Sequence, residues 1–518
     1  MISPSRLIRP LRPLQRQWRL LIVLLAGVGL AGLLALLPAE SILILAGALI
    51  VLVPIALIFS EPVIGAALTL FIAPFAPLEN IMFHLPIESG QALLILTAVA
   101  WLARMLYRRK LGIRTGPMLW PLLLFIAVGF ISFFAAQSFE LWAKECLKWV
   151  EVLFIYVLVV SEVRTSARSR NIILAAILIS TLFEAGLGIY QFGLRGTGPG
   201  SFLIAGLPYY RSYGTFEQPN PFGGYMGLTW PFATGLALFA WHKAIAIVRS
   251  RPLKWNTSQL TTVAFALIST VIAVMALLAL VLSWSRGAWL GAGAAVVVML
   301  IVALRRPITA FAIIGGVIIA ILMLNTAGLI PQSLTSRLTS FTDEFSSLDV
   351  RHVTVTSVNH AVIERLAHWQ AAQNMIIDKP WFGVGFGNYG AAYDQYRTLN
   401  WPLALGHAHN YYLNIFAETG VIGLLAYLIL FVSLFARSVW LARRPARAEP
   451  PSHRDQSGIG IRNWQPVTLI AFGLVGTWVQ LSVHQVVDNL FVANIFLLIG
   501  VTIGLLDGLT NEPTSIHR

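Results

Sequence analysis

Apolar runs long enough to cross a bilayer recur along almost the whole chain. A spanning helix needs about 20 mostly apolar residues, and roughly fourteen runs approach that length, near residues 20–37, 41–59, 62–77, 91–107, 118–135, 146–161, 170–192, 221–242, 261–283, 287–304, 308–329, 409–436, 467–487 and 490–507. The pattern predicts an all-α polytopic membrane protein of about 12–14 transmembrane helices, not the three or four soluble domains that length alone would give. Arg6, Arg9, Arg12, Arg16 and Arg19 precede the first run, as in a signal or transit peptide, but Leu20 to Leu37 is too long for a signal core and lacks a cleavage site. It reads as a first span.

Composition agrees, with 57% apolar and 11% charged residues where a soluble protein carries charge on about a quarter. The formal charge of +14 could mark a nucleic-acid partner, so the placement of the cations decides its meaning. Alternating the spans puts both termini and the loops near 104–117, 162–170, 243–260, 305–307 and 437–466 on one side, which then holds 26 of the 36 Lys and Arg residues. By the positive-inside rule that side is the cytoplasm. The excess charge is a topology signal, and nucleic acid is excluded as a partner. Cys146 stands alone, so there is no intrachain disulfide and no thiolate metal site. The ten basic residues left over are the ones topology does not explain.

Three outward segments stand out: Leu194 to Asn220, the short joint Ser283 to Gly287, and a loop of about eighty residues from Ile330 to Ala408, far beyond the usual 12–15 residues. The boundaries predicted are N-terminal helices over 1–193, central helices with outward arginine motifs over 194–329, the large extracytoplasmic loop over 330–408, and C-terminal helices over 409–518. Inside the loop, Asn359 to Ile377 is amphipathic, with Val362, Leu366, Trp369 and Ile376 near one face, and reads as a helix along the membrane surface. Asp378, Lys379 and Pro380 end it, and Gly383, Gly385 and Gly387 form a tight turn. No strand precedes these glycines, so they are not a dinucleotide fingerprint. No internal repeat is visible, unlike the paired halves of many transporters.

Candidate chemistry gathers on the outer side. Arg211, followed by Gly214, Asn220 and Pro221, sits where a bent backbone could offer a guanidinium to an anion; an interfacial arginine that only ends a helix would look the same. Arg286 lies between two apolar runs on the side the charge rule disfavours, and a cation at that depth needs an anionic neighbour or water. His409 opens the run after the long loop. If that run is helical from His409, then Asn410, Asn414 and Glu418 form a polar stripe entering the membrane, with Glu418 about 12 Å deeper than Asn410, and the imidazole at its mouth can accept a proton. His407 and His409 with Glu418 make a poor metal site, because Glu418 is too far along the helix; no metal and no cofactor are expected. His484 and Asp488 fall at i, i+4 on one helix face, either as a bonded pair or as a structural clip. Arg365 and Trp369 form another i, i+4 pair, for which cation–π packing is the plain reading. Glu184 in the seventh span needs a partner that the sequence does not supply. Two or three fixed cations suit a diphosphate, since guanidinium forks bind phosphate oxygens directly.

At these residues the sequence resembles the O-antigen ligase and O-antigen polymerase superfamily. The stretches are RSYGTFEQPNPFGGY, SWSRGAWLG, ERLAHWQAAQNMIIDKPWFGVGFGNY, GHAHNYYLNIFAETGVIGLLAYL and HQVVDNLF, in family order over residues 211–491. The resemblance implies an inverting, metal-independent glycosyl transfer from a glycan on undecaprenyl diphosphate to an acceptor hydroxyl of a glycan or lipid. The site would face outward in a bacterial inner membrane. Arg211 and Arg286 would hold the diphosphate and His409 would activate or orient the acceptor, with Arg365, Asn410, Glu418, His484 and Asp488 as further substrate-binding residues. Polymerases share these motifs, and the HAHN and GVGFGN stretches tilt the reading to ligase. From another class, a polysaccharide-lipid flippase or other transporter would also fit the span count, while a scaffold would leave the buried arginine and glutamate unexplained.

Overall fold

The computed structural model describes residues 52–84, 87–204, 207–249, 257–304, 306–333, 335, 337, 349–351, 353, 355, 360–398, 401–444 and 466–510. The chain divides after Glu61 into two compact units, Met1–Glu61 and Pro62–Arg518. In the first, residues 52–60 are helical; the expected span at 20–37 and the part of the one at 41–59 before residue 52 lie outside the described residues.

The described part of the second unit is built from helices. It runs α1 (Pro62–Ile72), α2 (Ala76–Phe83), α3 (Ser89–Arg108), α4 (Leu119–Ile131), α5 (Phe139–Thr165), α6 (Ala167–Gly193), α7 (Pro219–Arg249), α8 (Thr257–Leu282), α9 (Arg286–Ala303), α10 (Pro307–Thr326), α11 (His360–Asp378), α12 (Tyr389–Tyr396), α13 (Tyr411–Ala442), α14 (Pro466–His484) and α15 (Ile495–Gly508). No β-strand forms among the described residues; one isolated antiparallel bridge joins Leu203 and Tyr210. Among the described residues eight helices are long and apolar enough to cross a membrane, and three shorter apolar ones, Leu119–Ala135, Thr468–His484 and Ile495–Gly508, accompany them. The protein is an all-α polytopic membrane protein.

Helix α7 is the hub, packed on α8 and α14 and touching α6 and α9. The α7–α14 approach is close because Gly235 faces Gly473: a Cβ on Gly235 would stand 2.9 Å from the Gly473 Cα. Small residues let backbones meet where lipid gives helices no hydrophobic reason to associate. By contrast α10 buries little beyond Ala310, as befits a helix apolar on every side.

At the basic end of the bundle four segments are tied to one carboxylate. The Asp507 side chain, fully buried on α15, lies 2.9 Å from Arg437 Nε of α13. It accepts at 2.9 Å from both the Tyr156 hydroxyl of α5 and the Met118 N–H ahead of α4. Arg164 of α5 donates to the Asp507 carbonyl at 2.9 Å. Every oxygen is used, so removing the carboxylate strands a buried guanidinium and costs about 3–5 kcal/mol. Asp507→Ala is expected to lower the thermal midpoint in detergent sharply, and adding Arg437→Met to restore part of the loss; an unchanged midpoint in Asp507→Ala would refute the assignment.

Candidate active site

The site is built on the joint between α8 and α9. A helix leaves its last carbonyls without intrahelical partners, and here three consecutive ones are met by outside donors. Ser212 N–H donates to Leu282 O at 3.0 Å, Arg211 Nε to Ser283 O at 2.9 Å, and Arg337 Nη2 to Trp284 O at 3.2 Å. Arg211 also donates to Asn220 Oδ1 at 2.9 Å. Helix α9 then opens with Arg286, behind Ser285 and with no acidic residue in its first turn. A cation at the positive end of a helix dipole is unfavourable in isolation. The same place favours an anion.

The ten basic residues that topology left unexplained now sort themselves. Lys144, Lys148, Arg351, Lys379 and Arg397 pair with Glu140, Glu145, Asp349, Asp378 and Asp394, and Arg195 donates to the Tyr213 hydroxyl. The other four, Arg211, Arg286, Arg337 and Arg365, converge. Burial, followed by the charges of Arg337, Arg365 and Arg286, pushes Arg211 down to about 9, with Asp488 opposing. It remains a cation at neutral pH. Arg337 escaped the sequence reading; the signal that could have found it was its membership of the same unexplained ten.

Beside the arginines lies a cluster of imidazoles. His409 has a left-handed backbone at φ 50° and stands just outside α13, whose N-cap is Asn410, with its side chain accepting from Leu413 N–H at 3.1 Å. His409 Nδ1 is 3.8 Å from Asp488 Oδ1, an ion-pair distance once the ring is protonated, and neither ring nitrogen has a hydrogen-bond partner among the described residues. The His407 ring lies 4.5 Å away, centroid to centroid, and that of His368, 5.7 Å. Burial, then the neighbouring His409, pushes His407 down to about 4 and His368 down to about 3. Both are neutral at physiological pH. His368 Nδ1 meets the Tyr389 hydroxyl at 2.9 Å while that hydroxyl donates to the His368 carbonyl, leaving Nε2 without a partner. Asp488 is pushed up by burial but held well below the usual carboxylate range by the imidazoles of His409, His407 and His484. It is an anion, and it acts on the arginines and the imidazoles alike.

The long loop supplies the wall. Helix α11 buries Val362, Ile363, Leu366 and Ala367 against Val350 and Trp401, and Ala371, Ala372 and Met375 against Tyr389, Tyr393 and Ala417. Its apolar face is therefore covered by protein, not left open for the membrane surface. Gly383, Gly385 and Gly387 all have positive φ, at 66°, 103° and 70°. The turn they make docks on α13 where that helix breaks at Gly420, φ 67°. There Val384 and Gly385 N–H donate to the Ala417 and Glu418 carbonyls at 2.9 and 2.8 Å, and Val421 N–H to Pro380 O at 2.8 Å. A broken helix at membrane depth is tolerated because other protein groups satisfy the freed backbone.

Several expectations change. The helix starts at Tyr411 and not at His409, and its polar stripe is turned to the loop: Asn410 caps the helix, Asn414 Oδ1 accepts from Ala408 N–H at 3.0 Å, and Glu418 accepts from Gly387 and Tyr389 N–H at 2.9 and 3.2 Å. These side chains hold the loop that carries the imidazoles. His484 and Asp488 do not share a helix, because α14 ends at His484 and the chain turns before Asp488. Asp488 faces His409 instead. His484 is buried, with neither nitrogen hydrogen-bonded among the described residues, and its ring fills the space that a Cβ on Gly287 would need. Glu184 finds its partner in Thr215, whose N–H and hydroxyl donate at 3.1 and 2.6 Å.

His407, His409 and Asp488 offer ligand atoms within 4.8 Å of one another, with Asp488 in the place where sequence spacing had tried Glu418. Two features of the donor set oppose a divalent cation: four guanidiniums stand nearby, and His407 Nδ1 already accepts from His409 N–H at 3.1 Å. What the arrangement favours is an anion beside an imidazole that can exchange a proton. Residues 271–428 match the family model described as O-antigen ligase. Over that stretch the chain is similar to the O-antigen ligase family. A comparison with curated proteins gave no match. The O-antigen ligase stretch includes Arg286, Arg337, Arg365, His407 and His409 and leaves Arg211, His484 and Asp488 outside its limits.

Two predictions follow from this electrostatics. Inorganic diphosphate at a hundred times its Kd should stabilise the protein by about 2.7 kcal/mol, less at high salt, and Arg286→Gln should shrink that effect. Equal shifts in the variant would remove the anion site. Separately, a depressed imidazole binds its proton more readily unfolded than folded, so His368 stabilises the loop fully above about pH 6.5 and loses that contribution as the pH falls toward about 3. His368→Gln should blunt the rise in proteolysis of residues 360–410 between those limits, and an unaltered acid profile would contradict the buried neutral ring.

Proposed function

We propose that the protein transfers a glycan from undecaprenyl diphosphate to an acceptor hydroxyl of a glycan or lipid, in the manner of an O-antigen ligase, on the extracytoplasmic face of a bacterial inner membrane. The observation that carries this reading is the convergence of Arg211, Arg286, Arg337 and Arg365 beside an unpartnered His409 facing Asp488. The acceptor oxygen attacks the anomeric carbon, the bond from that carbon to the diphosphate oxygen breaks with inversion, and the acceptor proton passes to His409. Asp488 balances the imidazolium, while the guanidiniums and the first turn of α9 take the charge that grows on the departing diphosphate. Residues of this chain supply both the base and the anion stabilisation, so the reading calls for no metal. Asn410, Asn414 and Glu418 act as positioning residues for the loop, and His484 lies against Gly287 in reach of the same anion. The HAHN and GVGFGN stretches tilt the reading to ligase; the family match is shared by the polymerase reading.

Reconstitution with a lipid-diphosphate glycan and candidate acceptors, following release of the lipid diphosphate, tests the proposal. His409→Ala should lower kcat about 10²–10⁴-fold, the usual worth of a general base, and Arg211→Ala or Arg286→Ala about 10²–10³-fold, as for loss of one anion-stabilising donor. Turnover surviving both Arg286→Ala and His409→Ala would overturn the roles. Movement of the intact lipid across liposomes, with the sugar–phosphate bond unbroken, would install the flippase reading instead.

A further inference from the structure

At the other end of the bundle a second charged place is not used by this chemistry. The starts of α6 and α8 and the last turns of α7 enclose a cavity of about 550 Å³, closed by Ile470 of α14 and by Leu509. Arg170 and Lys243 line it, with Phe239, Phe265 and Thr262 among its other walls. Neither cation meets a carboxylate among the described residues; Lys243 Nζ stands 4.5 Å from the centre of the Phe239 ring. Helix α6 opens with Arg168 and Arg170 and no acid in its first turn, and α8 likewise begins without one. Two cations therefore sit where two helix dipoles already add positive potential, in a space otherwise walled largely by apolar groups. The reacting joint is at the far end of α8, some 21 residues and about 30 Å away by helical rise.

We infer that this cavity binds an anionic phospholipid, its headgroup phosphate held between Arg170 and Lys243 and its chains running along the outer face of α8. That face offers the exposed side chains of Leu267, Ile268 and Val271 below the cavity mouth, which suit acyl chains and have no use to a free anion. Basic pockets between transmembrane helices recognise phosphate headgroups by this combination of fixed charge and apolar wall. The site sits among the loops that hold most of the basic residues, where anionic lipid is drawn by the same field.

The test is native mass spectrometry of the full-length protein after exchange into vesicles of phosphatidylglycerol or of phosphatidylcholine, paired with the thermal midpoint in each. The wild type is expected to retain phosphatidylglycerol and not phosphatidylcholine, and to melt higher with the former. Arg170→Gln with Lys243→Gln should weaken retention about 30-fold, the effect of two cations near an anionic surface. Arg168→Gln, an exposed neighbour outside the cavity, is the control and should change retention little. Equal loss in the control would mean diffuse surface attraction and overturn the site. A midpoint rise with inorganic phosphate as large as that with phosphatidylglycerol would overturn the lipid assignment, as would retention unchanged in the double variant.

Discussion

Like charges resist being gathered where water is scarce. Two cations about 7 Å apart at an effective dielectric of 20 repel by about 2.4 kcal/mol, and this chain brings four guanidiniums together, one of them, Arg211, largely buried. Asp488 is the carboxylate that opposes their effect on Arg211. A fold that keeps such a cluster has to hold it by other means, and it does so by giving the guanidiniums structural work. Arg211 and Arg337 close the carbonyls at the end of α8, so repulsion between them is set against two hydrogen bonds the joint cannot do without. A multiply charged phosphate would be drawn to such a cluster.

The imidazoles depend on a different support. Their loop is fastened to α13 at the one point where that helix is broken, and Gly420 allows the break because its backbone is left-handed there. The freed carbonyls of Ala417 and Glu418 receive the glycine turn, while the Glu418 carboxylate takes two more amides from the same segment. Carboxylates at membrane depth are costly unless satisfied, and here the satisfaction is what fixes the loop. The route from sequence to site thus passes through backbone hydrogen bonds more than through side-chain contacts.

Which features were legible in the sequence follows from the range of the forces that specify them. The spans from residue 62 onward were readable because hydropathy is local, and the described helices fall where the apolar runs predicted. The positive-inside count left ten residues over, and the site's four arginines are among them; topology rules narrowed the search without separating Arg337 from arginines that pair with nearby acids. Pairings across the fold were not readable. Spacing joined His484 to Asp488, but a helix end at His484 turned Asp488 toward His409, and spacing offered Glu418 as a polar lining where the fold uses it as an acceptor for the loop. His368 carried no signal, since a histidine on an amphipathic helix is ordinary until Tyr389 and Tyr393 are seen around it.

Asp488 is the group common to both halves of the site, and this bears on how the proposed transfer would be timed. Its charge faces Arg211 on one side and the imidazoles of His409, His407 and His484 on the other. In the proposed transfer, a proton reaching His409 would place positive charge within ion-pair distance of Asp488, while negative charge would grow on the diphosphate among the guanidiniums. Asp488 can then turn its attraction to the new imidazolium just as the arginines gain a better partner. The two charge developments stabilise each other through one fixed carboxylate, without moving a heavy atom, and this preorganisation is what a low-dielectric site offers over water.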